Sequence, residues 1–176
     1  LHKFFKQMIA VEITELLKTN EKKLYALYQQ QGQSFWQSGP QGKWTAGQHL
    51  IHLVQSTKPL IKILKMPKFI LKWKFGSCNR TPKNYDEVVR RYQEKLSKVE
   101  GGVVSPFSNK MPFSPMEEMS YWMQTFSSLN ATLNTITLKL DEKKMDELLV
   151  PHPLMGKMTL REVLMWNAYH LEHHER

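Results

Sequence analysis

Cysteine is nearly missing from this 176-residue chain: Cys78 stands alone. A single cysteine excludes an internal disulfide framework and fits a reducing compartment, so the expected location is cytoplasmic. No apolar run is long enough to span a bilayer. No stretch alternates convincingly between apolar and polar residues with period two, which argues against strands. Internal repeats and low-complexity segments are missing as well. Acidic residues are scarce relative to basic ones, 16 against 25, for a net charge of +9. The imbalance is concentrated: from Lys58 to Tyr85 there are eight Lys/Arg and no Asp or Glu, with Phe69, Trp73 and Phe75 interleaved. Such a segment admits a nucleic-acid or membrane-surface patch. Without a nucleic-acid motif beside it, the expectation is a solvated basic face with its aromatics turned inward, and no nucleic-acid partner.

Apolar residues recur at helical spacing almost everywhere. Ile9, Ile13, Leu16, Leu17, Leu24, Leu27 and Tyr28 make one stripe; Met119, Trp122, Phe126, Leu129, Leu133, Ile136 and Leu140 make another. These spacings predict amphipathic helices packed in a bundle, an all-α fold. Breakers separate the helices. "QSGPQGK" (37–43) ends the first, and "CNRTPKN" (78–84) precedes a short helix over roughly 84–99. "EGGVVSPFSNKMPFSP" (100–115) and "LLVPHPLMGKM" (148–158) read as loops, the first long enough to be functional. The length suits one domain, 1–176. "TAGQ" (45–48) and "TLRE" (159–162) fit the capping-box pattern, and the helices they open hold five of the seven histidines.

In the last helix His170 and His174 stand one turn apart on one face, with Leu160, Val163 and Asn167 on the same stripe. That spacing lets two imidazoles converge on one ion, or instead forms a cationic helix end. The earlier helix offers His49 or His52, and periodicity does not decide which points inward. Leu at position 171 excludes the His-Glu-x-x-His metalloprotease pattern. The closing "AYHLEHHER" reads as native sequence and not as a tag, because only two histidines follow Leu171-Glu172. His152 is a candidate acid, base or anion contact on the substrate side, or a loop residue bonding nearby backbone. Asn167 is a candidate support for the histidines or an ordinary buried amide. Trp44 reads as core, and Cys78 as a surface thiol.

"GKWTAGQHLIHLVQS" (42–56) together with "HPLMGKMTLREVLMWNAYHLEHHE" (152–175) resembles the DinB/YfiT-like superfamily, a group associated with metal-dependent enzymes. The first stretch matches the family's Trp-Ser/Thr helix start with a histidine eight residues after the Trp. The second matches its His-Pro, Gly-x-x-Thr and His-x-x-His-His series. The resemblance implies a four-helix bundle with a long crossover connection and an extra short helix. It also implies a divalent metal, Zn or Ni foremost, held by His52, His170 and His174, selecting His52 over His49 and His174 over His173. Family activities further imply a small-molecule substrate and a low-molecular-weight thiol, in an S-transferase or isomerase.

The expected function is therefore a metal-dependent enzyme, a thiol-dependent S-transferase or a hydrolase. A cation held by neutral imidazoles lowers the pKa of a water or thiol by several units. The alternative is a non-catalytic helical bundle, metal-stabilised or metal-free, acting as a homodimerisation or anion-binding module through 58–83.

Overall fold

The structure is a computed structural model that describes residues 7–99 and 111–175. It is mostly helical. Helix α1 (Ala10–Gln31) stops at Gly32, whose φ of 74° no side-chain-bearing residue adopts easily. The helix thus ends earlier than the breaker at 37–43 suggests. A 3-10 turn, Gln33–Gln37, follows and sinks Trp36 into the core. Helix α2 (Ala46–Leu64) opens at Thr45 with the expected box: Thr45 Oγ1 accepts from the Gln48 amide at 3.2 Å, and Gln48 Oε1 accepts from the Thr45 amide at 2.9 Å. The Trp36 indole lies so close to α2 that a Cβ on Gly47 would stand 2.5 Å from its Cε2. Only glycine allows that approach, so Gly47 sets the depth at which the histidine-bearing helix packs.

Helix α3 (Lys68–Phe75) is short and buries only Leu71. Here the structure overturns the inward turn of two of the three aromatics, while Phe75 does pack against the core. Phe69 is 75% exposed and Trp73 86%, because these two share the outer face at i, i+4 once Leu71 faces in. Helix α4 (Tyr85–Leu96) begins with a third box, Asn84 with Glu87. Helix α5 (Met119–Leu138) and the short α6 (Glu142–Glu147) follow. The expected loop at 100–115 lies largely outside the described residues.

The absence of strands is also corrected. β1 (Leu149–His152) and β2 (Gly156–Thr159) form an antiparallel hairpin, pairing Leu149 with Thr159 and His152 with Gly156. Pro151, Pro153 and Gly156 disguise it as a loop. A two-stranded ribbon has only edges, so a proline without an N–H is tolerated there. The hairpin leads into α7 (Leu160–Glu175).

Helix α7 is anchored twice at its start. Glu162, 1% exposed, accepts from both terminal nitrogens of Arg80 (2.6 and 2.7 Å) and from the amides of Lys83 (2.7 Å) and Thr159 (3.0 Å). Thr159 Oγ1 accepts from the Glu162 amide at 3.1 Å, closing the second predicted box. Arg161, equally buried, donates to Asp146, Glu142 and the Met8 carbonyl. Helices α1 and α5 pack together, α1 also packs on α7, and α2 lies against both α5 and α7. One buried cluster gathers Ile13, Leu17, Leu133 and Leu164; another gathers Leu24, Trp36, Leu50 and Phe126. This packing holds the middle of α2 against the end of α7.

Candidate metal centre

Two capped helix starts determine which histidines meet. From Thr45, His52 lies two turns into α2; from Thr159, His170 and His174 lie three turns and more into α7. Because α2 packs on α7, the rings converge. His52 Nε2 is 3.2 Å from His170 Nε2, and His174 Nε2 is 3.0 Å from the same atom. One nitrogen from each of the three lies within 4.8 Å of the others. His52 and His170 are buried; His174 is partly exposed as a residue, but its ring packs among those of His49, His52, His170 and His173.

His49 is not part of this trio. It faces the far side of His174, with Nδ1 to Nδ1 at 2.9 Å. Spacing alone could not predict this, since both His49 and His52 ride the same helix. Trp44, expected in the core, is instead half-buried at the cavity wall and closes the α2 side, its ring centroid 5.1 Å from that of His52 and 5.6 Å from that of His49. On the α7 side Trp166 stacks on His170 at 4.7 Å and 20° between planes. Tyr92 of α4 meets His170 and His173 edge-on. Trp166 and Tyr92 were not singled out from sequence as site residues. The signal for Trp166 was its place one turn before His170.

Burial keeps these imidazoles neutral. Desolvation, reinforced by neighbouring histidines, lowers His52 to about 4 and holds His170 and His174 well below the ordinary value. His49 is lowered for the same reasons. Neutral rings are the form that binds cations.

The three nitrogens fit a single cation better than they fit each other. His170 Nε2 has one in-plane valence, a proton or a lone pair, yet faces two nitrogens at hydrogen-bond distance. A zinc–nitrogen bond of about 2.0–2.1 Å sets ligand nitrogens roughly 3.3 Å apart in a tetrahedral arrangement, close to the two spacings that His170 Nε2 makes with His52 and His174. Behind the site, His170 Nδ1 and both polar atoms of Asn167 are buried with no hydrogen-bond partner among the described residues. Asn167 therefore supports none of the three histidines by a direct hydrogen bond.

The trio lies at the wall of a cavity of about 540 Å³. Its sides are apolar, from α2 (Pro59, Ile63), α4 (Leu96), the hairpin segment (Val150, Leu154) and α7 (Val163). His152 also lines it, packed edge-on against Trp166 at 4.1 Å. Its Nδ1 accepts from the amides of Leu154 (3.1 Å) and Met155 (3.0 Å). His152 thus bonds nearby backbone, as one of its sequence readings has it, and also borders the cavity. Cys78 is partly buried in the basic segment, its Sγ directed at the Arg80 carbonyl, and does not line the cavity.

Among the described residues no helix is long and apolar enough to cross a membrane. A family model described as the DinB superfamily matches residues 16–176. No curated protein and no solved structure matches the chain.

Proposed function

The chain belongs to the DinB superfamily, and from that premise we propose that it is a divalent-metal-dependent enzyme acting on a small molecule, as a thiol-dependent S-transferase or a hydrolase. His52, His170 and His174 would hold the ion, with Zn or Ni the best match to an all-imidazole set. The observation that carries the reading is the convergence of ring nitrogens from three neutral imidazoles at the wall of a 540 Å³ cavity. A cavity of that size is in the range that encloses small ligands. The mutual packing of α1, α2, α5 and α7 supports a four-helix core of the kind the family implies.

When bound, a divalent ion held by uncharged ligands supplies Lewis acidity, which activates a water or thiol near neutral pH. The protein's part is positional. Trp44 and Trp166 wall the histidines from either side, restricting water and keeping the local dielectric low. His49 accepts from His174 Nδ1–H when Nε2 of that ring is turned to a cation, which fixes the tautomer and raises ligand basicity. The apolar walls hold the body of a substrate against the trio.

The test is metal content of protein purified without an affinity tag, followed by a screen of thiols with electrophilic and ester substrates. Stoichiometric metal and turnover that both vanish in His52→Ala are expected. Protein that takes up neither zinc nor nickel would end the proposal. A second reading, an anion-binding module, draws on the exposed Phe69 and Trp73 beside the lysines of α3. It predicts binding to anionic surfaces that weakens steeply with salt.

A further inference from the structure

The cavity is chemically one-sided. Among the described residues that line it there is no Asp, Glu, Lys or Arg; its polar side-chain groups are histidines, Ser56, the Tyr92 hydroxyl and the indole N–H groups of Trp44 and Trp166. Away from the histidine trio, a charged group enclosed there would lose its hydration with no opposite charge to replace it. The molecule it encloses is therefore uncharged and largely apolar. A charged low-molecular-weight thiol would have to leave its ionic groups outside.

One group in the wall has its hydrogen-bonding role dictated by the backbone. Nδ1 of His152 receives two amide N–H groups, from Leu154 and Met155. An amide nitrogen can only donate, so Nδ1 must present its lone pair, and the single proton of the neutral ring sits on Nε2. Protonating the ring would place an N–H at Nδ1 against two other N–H donors. Burial reinforces neutrality, lowering His152 to about 4. Among the described residues Nε2 meets no acceptor, and the ring borders the cavity. The Trp166 indole lies between this ring and that of His170, packed on both. A donor of fixed direction thus stands one indole away from the histidine trio.

We infer that the cavity binds an uncharged, mainly apolar molecule bearing a carbonyl-type acceptor, which His152 orients by donating from Nε2. The inference rests on the cavity being the substrate pocket of the proposed enzyme, but not on a metal being bound. His152 is in this reading a positioning and specificity residue, and its Nε2 is no general base because it has no free lone pair.

Two measurements test it. Long-range ¹⁵N–¹H NMR of the wild-type chain reads the tautomer without any variant. A His152 spin system protonated at Nε2 and bare at Nδ1 is expected; a proton on Nδ1 overturns the inference. Tryptophan fluorescence titration then compares benzophenone, diphenylmethane and 4-benzoylbenzoate as probes. Benzophenone is expected to bind roughly three- to tenfold tighter in wild type than in His152→Asn. Asn Oδ1 replaces Nδ1 toward the backbone but carries no donor to the Nε2 position. Diphenylmethane should bind both forms alike, and on chelator-stripped protein the carboxylate should bind at least about tenfold weaker than the ketone. An equal ketone affinity in the two forms, or a preference for the carboxylate on chelator-stripped protein, refutes the inference. The titrations are run on chelator-stripped and zinc-treated protein. A ketone preference that survives where zinc does not bind sinks the metal reading alone; zinc bound without a ketone preference sinks this one alone.

Discussion

Replacing His49 should weaken metal binding without abolishing it, and the structure allows the size of the effect to be worked out. His49 Nδ1 is 2.9 Å from His174 Nδ1, on the side of that ring away from the trio. With His174 Nε2 turned to a cation, its proton moves to Nδ1 and His49 becomes the acceptor. Loss of such a supporting partner typically lowers affinity about 10- to 100-fold, or about 1.4–2.7 kcal/mol. Loss of a ligand costs more. Structural zinc sites bind with about 10–16 kcal/mol over four ligands, so one ligand is worth about 2.5–4 kcal/mol, roughly 10²- to 10³-fold. His52→Ala should therefore exceed His49→Ala by about an order of magnitude. Asn at 49 offers Oδ1 near the place of Nδ1, so His49→Asn should restore most of the loss. Zinc competition against a chromophoric chelator measures the affinities. The visible spectrum of the cobalt-substituted protein separates the roles: it should keep its shape in His49→Ala and change in His52→Ala. A His49→Ala protein with wild-type affinity, or one whose cobalt spectrum changes as that of His52→Ala does, would refute the assignment of His49 as a support.

Two further outcomes follow from the anchors of α7 and from His152. Burial pushes the Glu162 carboxyl up, but Arg80 and the amides of Lys83 and Thr159 outweigh it and hold it below the ordinary value. Glu162→Ala should cost about 2–4 kcal/mol, less than a fully buried pair because Arg80 keeps some access to water; an unchanged thermal midpoint would contradict this. His152, lowered to about 4 from 6.5, adds nothing to pH dependence above 6.5, where the ring is neutral folded and unfolded. As pH falls from 6.5 toward 4 the unfolded chain takes up the proton first, so native stability drops by at most about 3 kcal/mol. Urea unfolding across that range should show a shallower loss in His152→Asn, and an identical slope would tell against the buried neutral ring.

Much of the helical layout was legible because its signals are local. Apolar spacing located α5, and the Thr45 and Thr159 boxes marked two helix starts by residue identities three positions apart. The Asn84 box carries the same kind of signal, with Asn84 and Glu87 three positions apart. The hairpin was hidden because two prolines and a glycine interrupt its alternation, and pairing with a second strand is not a property of either segment alone. The outward turn of Phe69 and Trp73 was hidden because an eight-residue helix has two candidate inner faces, and only its neighbours select Leu71.

By itself the sequence determined the period and punctuation of the helices, and the one-turn spacing that puts His170 and His174 on a common face. These follow from backbone geometry within a few residues. Which histidine of α2 joins them, that His49 backs His174, and that His152 shares a cavity wall with Trp166 were decided only by tertiary packing. Such choices depend on the depth and rotation at which one helix settles on another, here set by the Trp36–Gly47 contact and the buried carboxylate of Glu162. No spacing along a single element encodes them.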